Sequence, residues 1–165
     1  MQNECRECGA KLKIEQTQCP YCGTSVTDAD EQLLTQLTTI ARKYKEGLAK
    51  ANKIEIGKIL TDSYKWRLSD GGIETLNDKK TLLENVQPDK NFVSYNIHEA
   101  ELIERENNQA IIHCIQTVTR RSHFEKGKFE PYIERGTINF VHQDGHWLII
   151  SENTVTIDEN GNEYE

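Results

Sequence analysis

Two cysteine pairs near the start, Cys5-Arg-Glu-Cys8 and Cys19-Pro-Tyr-Cys22, constrain this chain more than any other feature. Each is a Cys-x2-Cys knuckle followed directly by a glycine, Gly9 or Gly23. Two intervening residues let a tight turn aim both sulfurs at one point, and the glycine is free to take positive φ. Repeated after a short hairpin (residues 10–18), the pattern has the ligand number and spacing of a closed tetrahedral zinc site. Thiolates are soft ligands, so Cys5, Cys8, Cys19 and Cys22 select Zn2+ over calcium or magnesium. Residues 1–27 hold little apolar material beyond Leu12, Ile14, Tyr21 and Val26, so the metal is expected to supply the folding free energy. One structural zinc is the expected cofactor.

Other uses of the cysteines fit less well. A Cys-x2-Cys redox dithiol needs a strand before it and a helix after it, and the sequence writes neither. A disulfide framework belongs to secreted proteins, whereas Met1-Gln2-Asn3-Glu4 is polar and lacks a signal-peptide core. The expected compartment is therefore the reducing cytoplasm. The chain has 165 residues, 28% of them charged, and no apolar run long enough to cross a bilayer. Its net charge of −7 and pI of about 5.3 disfavour nucleic acid as a partner.

Beyond the cysteines the pattern turns helical. Leu33, Leu37, Ile40, Ala41, Tyr44 and Leu48 share one helix face, with Asp28 as expected N-cap. A shorter helix is expected from Asn52 to Thr61. From Tyr64 the period becomes two: Tyr64, Trp66 and Leu68 alternate with polar residues, and a turn at Asp70-Gly71-Gly72 leads into a second strand. Asn77 or Asp78 is placed to cap a third helix ending before Pro88. Four long strands follow, over about 92–104, 109–123, 130–142 and 146–157, joined at Asn107-Asn108, at Glu125-Lys-Gly-Lys128 and at Asp144-Gly145. The plan is α+β: a zinc ribbon (1–27), then three helices on a curved, mostly antiparallel sheet (28–157), then an acidic tail (158–165) expected to fray.

Residues from about 30 to 157 resemble the NTF2-like (SnoaL-like, cystatin-like) α+β cone. Thr61-Asp-Ser-Tyr-Lys-Trp-Arg-Leu-Ser-Asp-Gly-Gly72 and the final hairpin Arg135-Gly-Thr-Ile-Asn-Phe-Val-His-Gln-Asp-Gly-His-Trp-Leu-Ile-Ile150 carry the resemblance. The N-terminal segment resembles bacterial zinc ribbons. The cone fold implies no single function, since it hosts enzymes, carriers and dimerisation modules. In its enzymes the work is done between the helices and the sheet. The residues of this chain placed to line such a pocket are Asp62, Tyr64, Trp66 and His113, with Asp62 read first as a strand-entry cap and His113 first as a core or interface histidine.

Other candidates read as structural. His142 and His146 flank a hairpin turn, so that His142 faces Trp147 and Gln143 faces His146, a diagonal that does not suit a metal. Cys114 falls with Ile112 and Val118 on an apolar face, as an inert core thiol does. The strand 109–119 is apolar on both faces, Ile111 and Ile115 lying opposite Ile112, Cys114 and Val118. A sheet with one wet face alternates more cleanly, so the second face is expected to be covered by a homodimer partner. The sequence therefore points to a non-enzymatic protein-interaction and dimerisation module. Small-molecule binding or catalysis in the cone is the alternative.

Overall fold

The structure is a computed structural model and describes residues 3–4, 8–12, 18–23, 29–70 and 73–163. The expected N-cap Asp28 lies outside the described residues. Two short strands, β1 (Asn3–Glu4) and β2 (Lys11–Leu12), pair antiparallel. Helix α1 (Ala29–Lys50) runs 22 residues, with Asp30 and Glu31 in its first turn and Lys50 in its last, each complementing the helix dipole. Leu33, Leu37, Ala41 and Tyr44 form its buried stripe. Ala51 at φ 51° ends it. A Cβ at Gly47 would lie 3.2 Å from Ile56 Cγ1, so glycine lets α2 (Lys53–Ile59) approach closely. Asn52 caps α2, accepting from the Glu55 N–H at 3.2 Å.

Strand β3 (Leu60–Asp70) and β4 (Ile73–Asp78) form a hairpin, and α3 (Lys79–Asn85) follows. Asp78 is the N-cap of α3, accepting from the Thr81 N–H at 2.7 Å. Next come β5 (Phe92–Glu106), β6 (Gln109–Arg121), β7 (Phe129–Gln143) and β8 (His146–Ile157) as an antiparallel meander. Asp144 (φ 52°) and Gly145 (φ 80°) make the left-handed two-residue turn between the last two. The hairpin and the meander form one six-stranded mixed sheet, in the order β4-β3-β8-β7-β6-β5, because β3 pairs parallel with β8. The expected antiparallel meander is thus one part of a wider sheet.

The core lies between the helices and one sheet face. Leu33, Leu37, Ala41, Tyr44 and Ile56 pack with Leu60, Tyr64, Ile112, Ile138, Phe140 and Ile149. The described residues of the acidic tail make local hydrogen bonds. Asp158 Oδ1 accepts from the backbone N–H groups of Asn160 and Asn162, each at 2.8 Å. Glu163 then bridges to Ile157 and accepts from Arg135 at 2.5 Å. Local hydrogen bonds to a carboxylate offset the entropy that acidic composition alone suggests.

Replacing Phe140, 1% exposed, with alanine should cost about 3–5 kcal/mol in urea unfolding. Phe124, 93% exposed in the β6–β7 loop, should tolerate the same change within about 0.5 kcal/mol.

Candidate functional site

Three of the four expected metal ligands lie among the described residues. The sulfurs of Cys8, Cys19 and Cys22 all fall within 4.8 Å of one another, and the Cys8 and Cys19 sulfurs are 3.6 Å apart. Tetrahedral zinc–thiolate geometry sets sulfurs about 3.8 Å apart. The Cys8–Cys19 separation is near that value, and the three thiols are close enough together to share one metal ion. Gly9 and Gly23 follow their knuckles at φ 69° and 71°, and the Gly23 N–H donates to the Cys19 carbonyl at 2.8 Å. Cys5 lies outside the described residues.

The residues expected to line a cone pocket do not come together. Tyr64 and Trp66 point toward the helices. Tyr64 is fully buried and its hydroxyl lies 2.6 Å from that of Tyr44. Trp66 Nε1 donates to Thr154 Oγ1 at 3.2 Å. Asp62 is exposed and pairs with Lys79 at 2.9 Å, while Lys79 also donates to the Leu60 carbonyl at 2.9 Å. That contact ties the entry of β3 to the start of α3. His113 is the correction. On β6 the buried residues are Ala110, Ile112, Cys114 and Gln116, so His113 projects from the opposite face, across from Glu101 and Thr137. Cys114 is buried as expected, and burial pushes its thiol up to about 11.

Sequence reasoning missed the polar cluster inside the cone. Lys45 of α1 lies 2.5 Å from Glu152 Oε1 of β8, and the two side chains are 11% and 1% exposed. Neither Glu152 oxygen meets hydrogen-bond geometry with a partner. Beside the pair, Gln116 donates to Glu134 at 2.6 Å and accepts from the Tyr95 hydroxyl at 2.5 Å. Burial pushes the Glu152 carboxyl up against the pull of Lys45. Burial works the other way on Lys45, but Glu152 and Glu134 outweigh it and hold the ammonium above its ordinary value. Burial likewise raises the hydroxyls of Tyr44, Tyr64 and Tyr95, with Glu152 adding to each. A bulge concealed this cluster. The register shift between Asn139 and Phe140 against β8 changes the parity of β8, turning Glu152 inward.

Among the described residues no helix lies on the outer face of the sheet. Its middle is half-buried and aliphatic, with Ile111 and Ile115 of β6, Ile133 and Val141 of β7 and Val155 of β8. A groove of about 350 Å³ runs over it past Glu101, His113, Arg135 and Asn153. His142 and Trp147 meet as expected, ring centroids 5.1 Å apart.

No family model and no curated protein matches the sequence. Solved structures do match in fold. The association domain of C. elegans CaMKII is 8% identical with TM-score 0.63, covering 77% of this chain and 98% of that one. An NTF2-like protein with a cystatin-like fold from Novosphingobium aromaticivorans is 11% identical with TM-score 0.61, covering 81% and 92%. A ketosteroid isomerase-like protein from Erwinia carotovora atroseptica is 16% identical with TM-score 0.55, covering 76% and 96%. The chain has the NTF2-like, cystatin-like α+β fold. Among the described residues no helix is long and apolar enough to cross a membrane.

Lys45→Met leaves a buried carboxylate unpaired and should cost about 3 kcal/mol, most of it recovered in Lys45→Met/Glu152→Leu. The pH sign follows from Glu152. A carboxyl raised in the folded state binds its proton more tightly there than in the unfolded chain. Stability from this group is therefore present at low pH and lost as pH rises above the ordinary glutamate value of 4.5. Urea midpoints at pH 5 and 7.5 should fall less with rising pH in Glu152→Gln than in the wild type.

Proposed function

We propose that this protein is a non-enzymatic association module, in which a zinc-stapled N-terminal segment (1–27) is joined to an NTF2-like domain (28–157) that self-associates. The observation that carries the reading is the uncovered outer face of the sheet. An aliphatic strip with polar flanks on a face without helices is the form a protein–protein surface takes. The cysteines support the other half, because three sulfurs lie within 4.8 Å of one another and Cys5 stands where the Cys-x2-Cys spacing requires the fourth. Zinc there would supply folding free energy and no chemistry, since four thiolates leave no open position for substrate. Thiolate ligation goes with a reducing compartment such as the cytoplasm. The acidic balance favours a protein partner over nucleic acid.

The second reading is a small molecule bound or transformed inside the cone, and the buried charged pair of Lys45 and Glu152 favours it. Against it, Tyr44, Tyr64, Phe140 and Gln116 are themselves fully buried and pack around that pair. Of the residues first assigned to that pocket, only Tyr64 and Trp66 face it.

Two measurements test the proposal. Light scattering at micromolar concentration should give a dimer, and Ile115→Glu, a charge at the centre of the outer face, should give a monomer that still melts cooperatively. A monomeric wild type would sink the reading. Metal analysis should find one zinc per chain. Cys8→Ser should lower that content and unfold only the N-terminal segment, read by amide exchange, while residues 29–157 keep their protection.

A further inference from the structure

We infer that two copies meet through this face about a two-fold axis parallel to the strands and running along β7, with Arg67 of one copy over Glu101 of the other. The inference rests on self-association through the outer face. It adds which residues face which.

The registers place outward residues in rows across five strands. One row reads Arg67, Asn153, Thr137, His113, Glu101, from β3 through β8, β7 and β6 to β5. The row on one side reads Lys65, Ser151, Asn139, Ile111, Glu104, and the row on the other, from β8 to β5, reads Val155, Arg135, Ile115, Glu99. Charge is thus sorted across the sheet. The β3 flank carries Lys65 and Arg67, the β5 flank carries Glu99, Glu101 and Glu104, and all five side chains are exposed. None of them takes part in an ion pair among the described residues. The cation on the middle strand, Arg135, is matched within its own chain by Glu163 at 2.5 Å.

Two sheets packed face to face with aligned strands have two choices of in-plane two-fold axis. An axis across the strands sets β5 over β5 and β3 over β3, which stacks glutamates on glutamates and cations on cations. An axis along the strands exchanges the flanks and leaves the rows in step. Since β7 lies two strands from both β3 and β5, an axis along it puts Arg67 over Glu101 and Lys65 over Glu104. Each pair occurs twice, and Ile115 falls over Val155 in the aliphatic middle. Complementary charge of this kind selects register and suppresses the alternative more than it adds raw affinity.

Charge reversal separates the two arrangements. Arg67→Glu and Glu101→Lys each oppose like charges twice per dimer, so each variant alone should dimerise at least about tenfold more weakly than wild type. Mixed together they should recover, because Arg67 then faces Glu101 and the introduced lysine faces the introduced glutamate. Native mass spectrometry should show the mixed dimer in large excess over both homodimers. If wild type is a dimer that Ile115→Glu breaks, yet both reversals dimerise normally and mix statistically, the orientation is overturned and the face stands. A wild-type dimer indifferent to Ile115→Glu as well overturns the face, and a monomeric wild type overturns both.

Discussion

The packing of α1 across one face of the sheet is the contact on which the rest of the molecule depends. Its stripe of Leu33, Leu37, Ala41 and Tyr44 meets the inward residues of β6, β7 and β8, all at or near zero exposure. Burying an aliphatic side chain contributes roughly 1.5–3 kcal/mol, so this layer holds most of the favourable free energy of the domain. The hairpin β3–β4 joins the sheet only through the parallel pairing of β3 with β8, and α2 and α3 close over it. All of the helix is spent on one side. What remains is a broad sheet surface whose aliphatic middle is shared by three strands.

A charged pair inside that contact asks for an explanation, because burial of Lys45 and Glu152 costs several kcal/mol before any attraction is counted. Their separation of 2.5 Å and the neighbouring Gln116, Glu134 and Tyr95 recover part of it. A second carboxylate in the cluster means that one ammonium faces two acids. Burial, with Glu134 adding to it, raises the Glu152 carboxyl against the pull of Lys45, so the stability this group contributes falls as pH rises. The pair also ties α1 to β8 at a single register. A slide of the helix by one turn would strand both charges in apolar surroundings, which gives the network a role in specifying the packing.

Much of this was legible in the sequence. The spacing of apolar residues announced α1 and the shorter α2, a cap at Asn77 or Asp78 placed α3, and Asp144-Gly145 located the last hairpin. Two things were not. Nothing local marks the parallel pairing of β3 with β8, which joins residues as far apart as Trp66 and Thr154. Parity was the other. Ile111, Ile112, Cys114 and Ile115 make β6 apolar on both faces, so its alternation could not say which face α1 covers, nor whether His113 lies under the helices or on the outer face. In β8 the bulge after Ile149 reverses the parity that a regular strand would have. A count of alternate residues then sends Glu152 to solvent, when its carboxylate is buried against Lys45.

The two-part organisation has a consequence for how such a module would bind. A thiolate-ligated segment draws its stability from metal and the cone from its core, so neither depends on the other to fold. Self-association through the sheet would give each assembly two copies of the N-terminal segment. A partner that holds both would bind the second intramolecularly, and its apparent affinity would exceed that of one segment by about 10²–10⁴ where the spacing allows. On that account the cone needs no ligand of its own. Its contribution would be to set the number and spacing of the cysteine segments, and the proposed pairing of charges across the sheet face would suit it to that task.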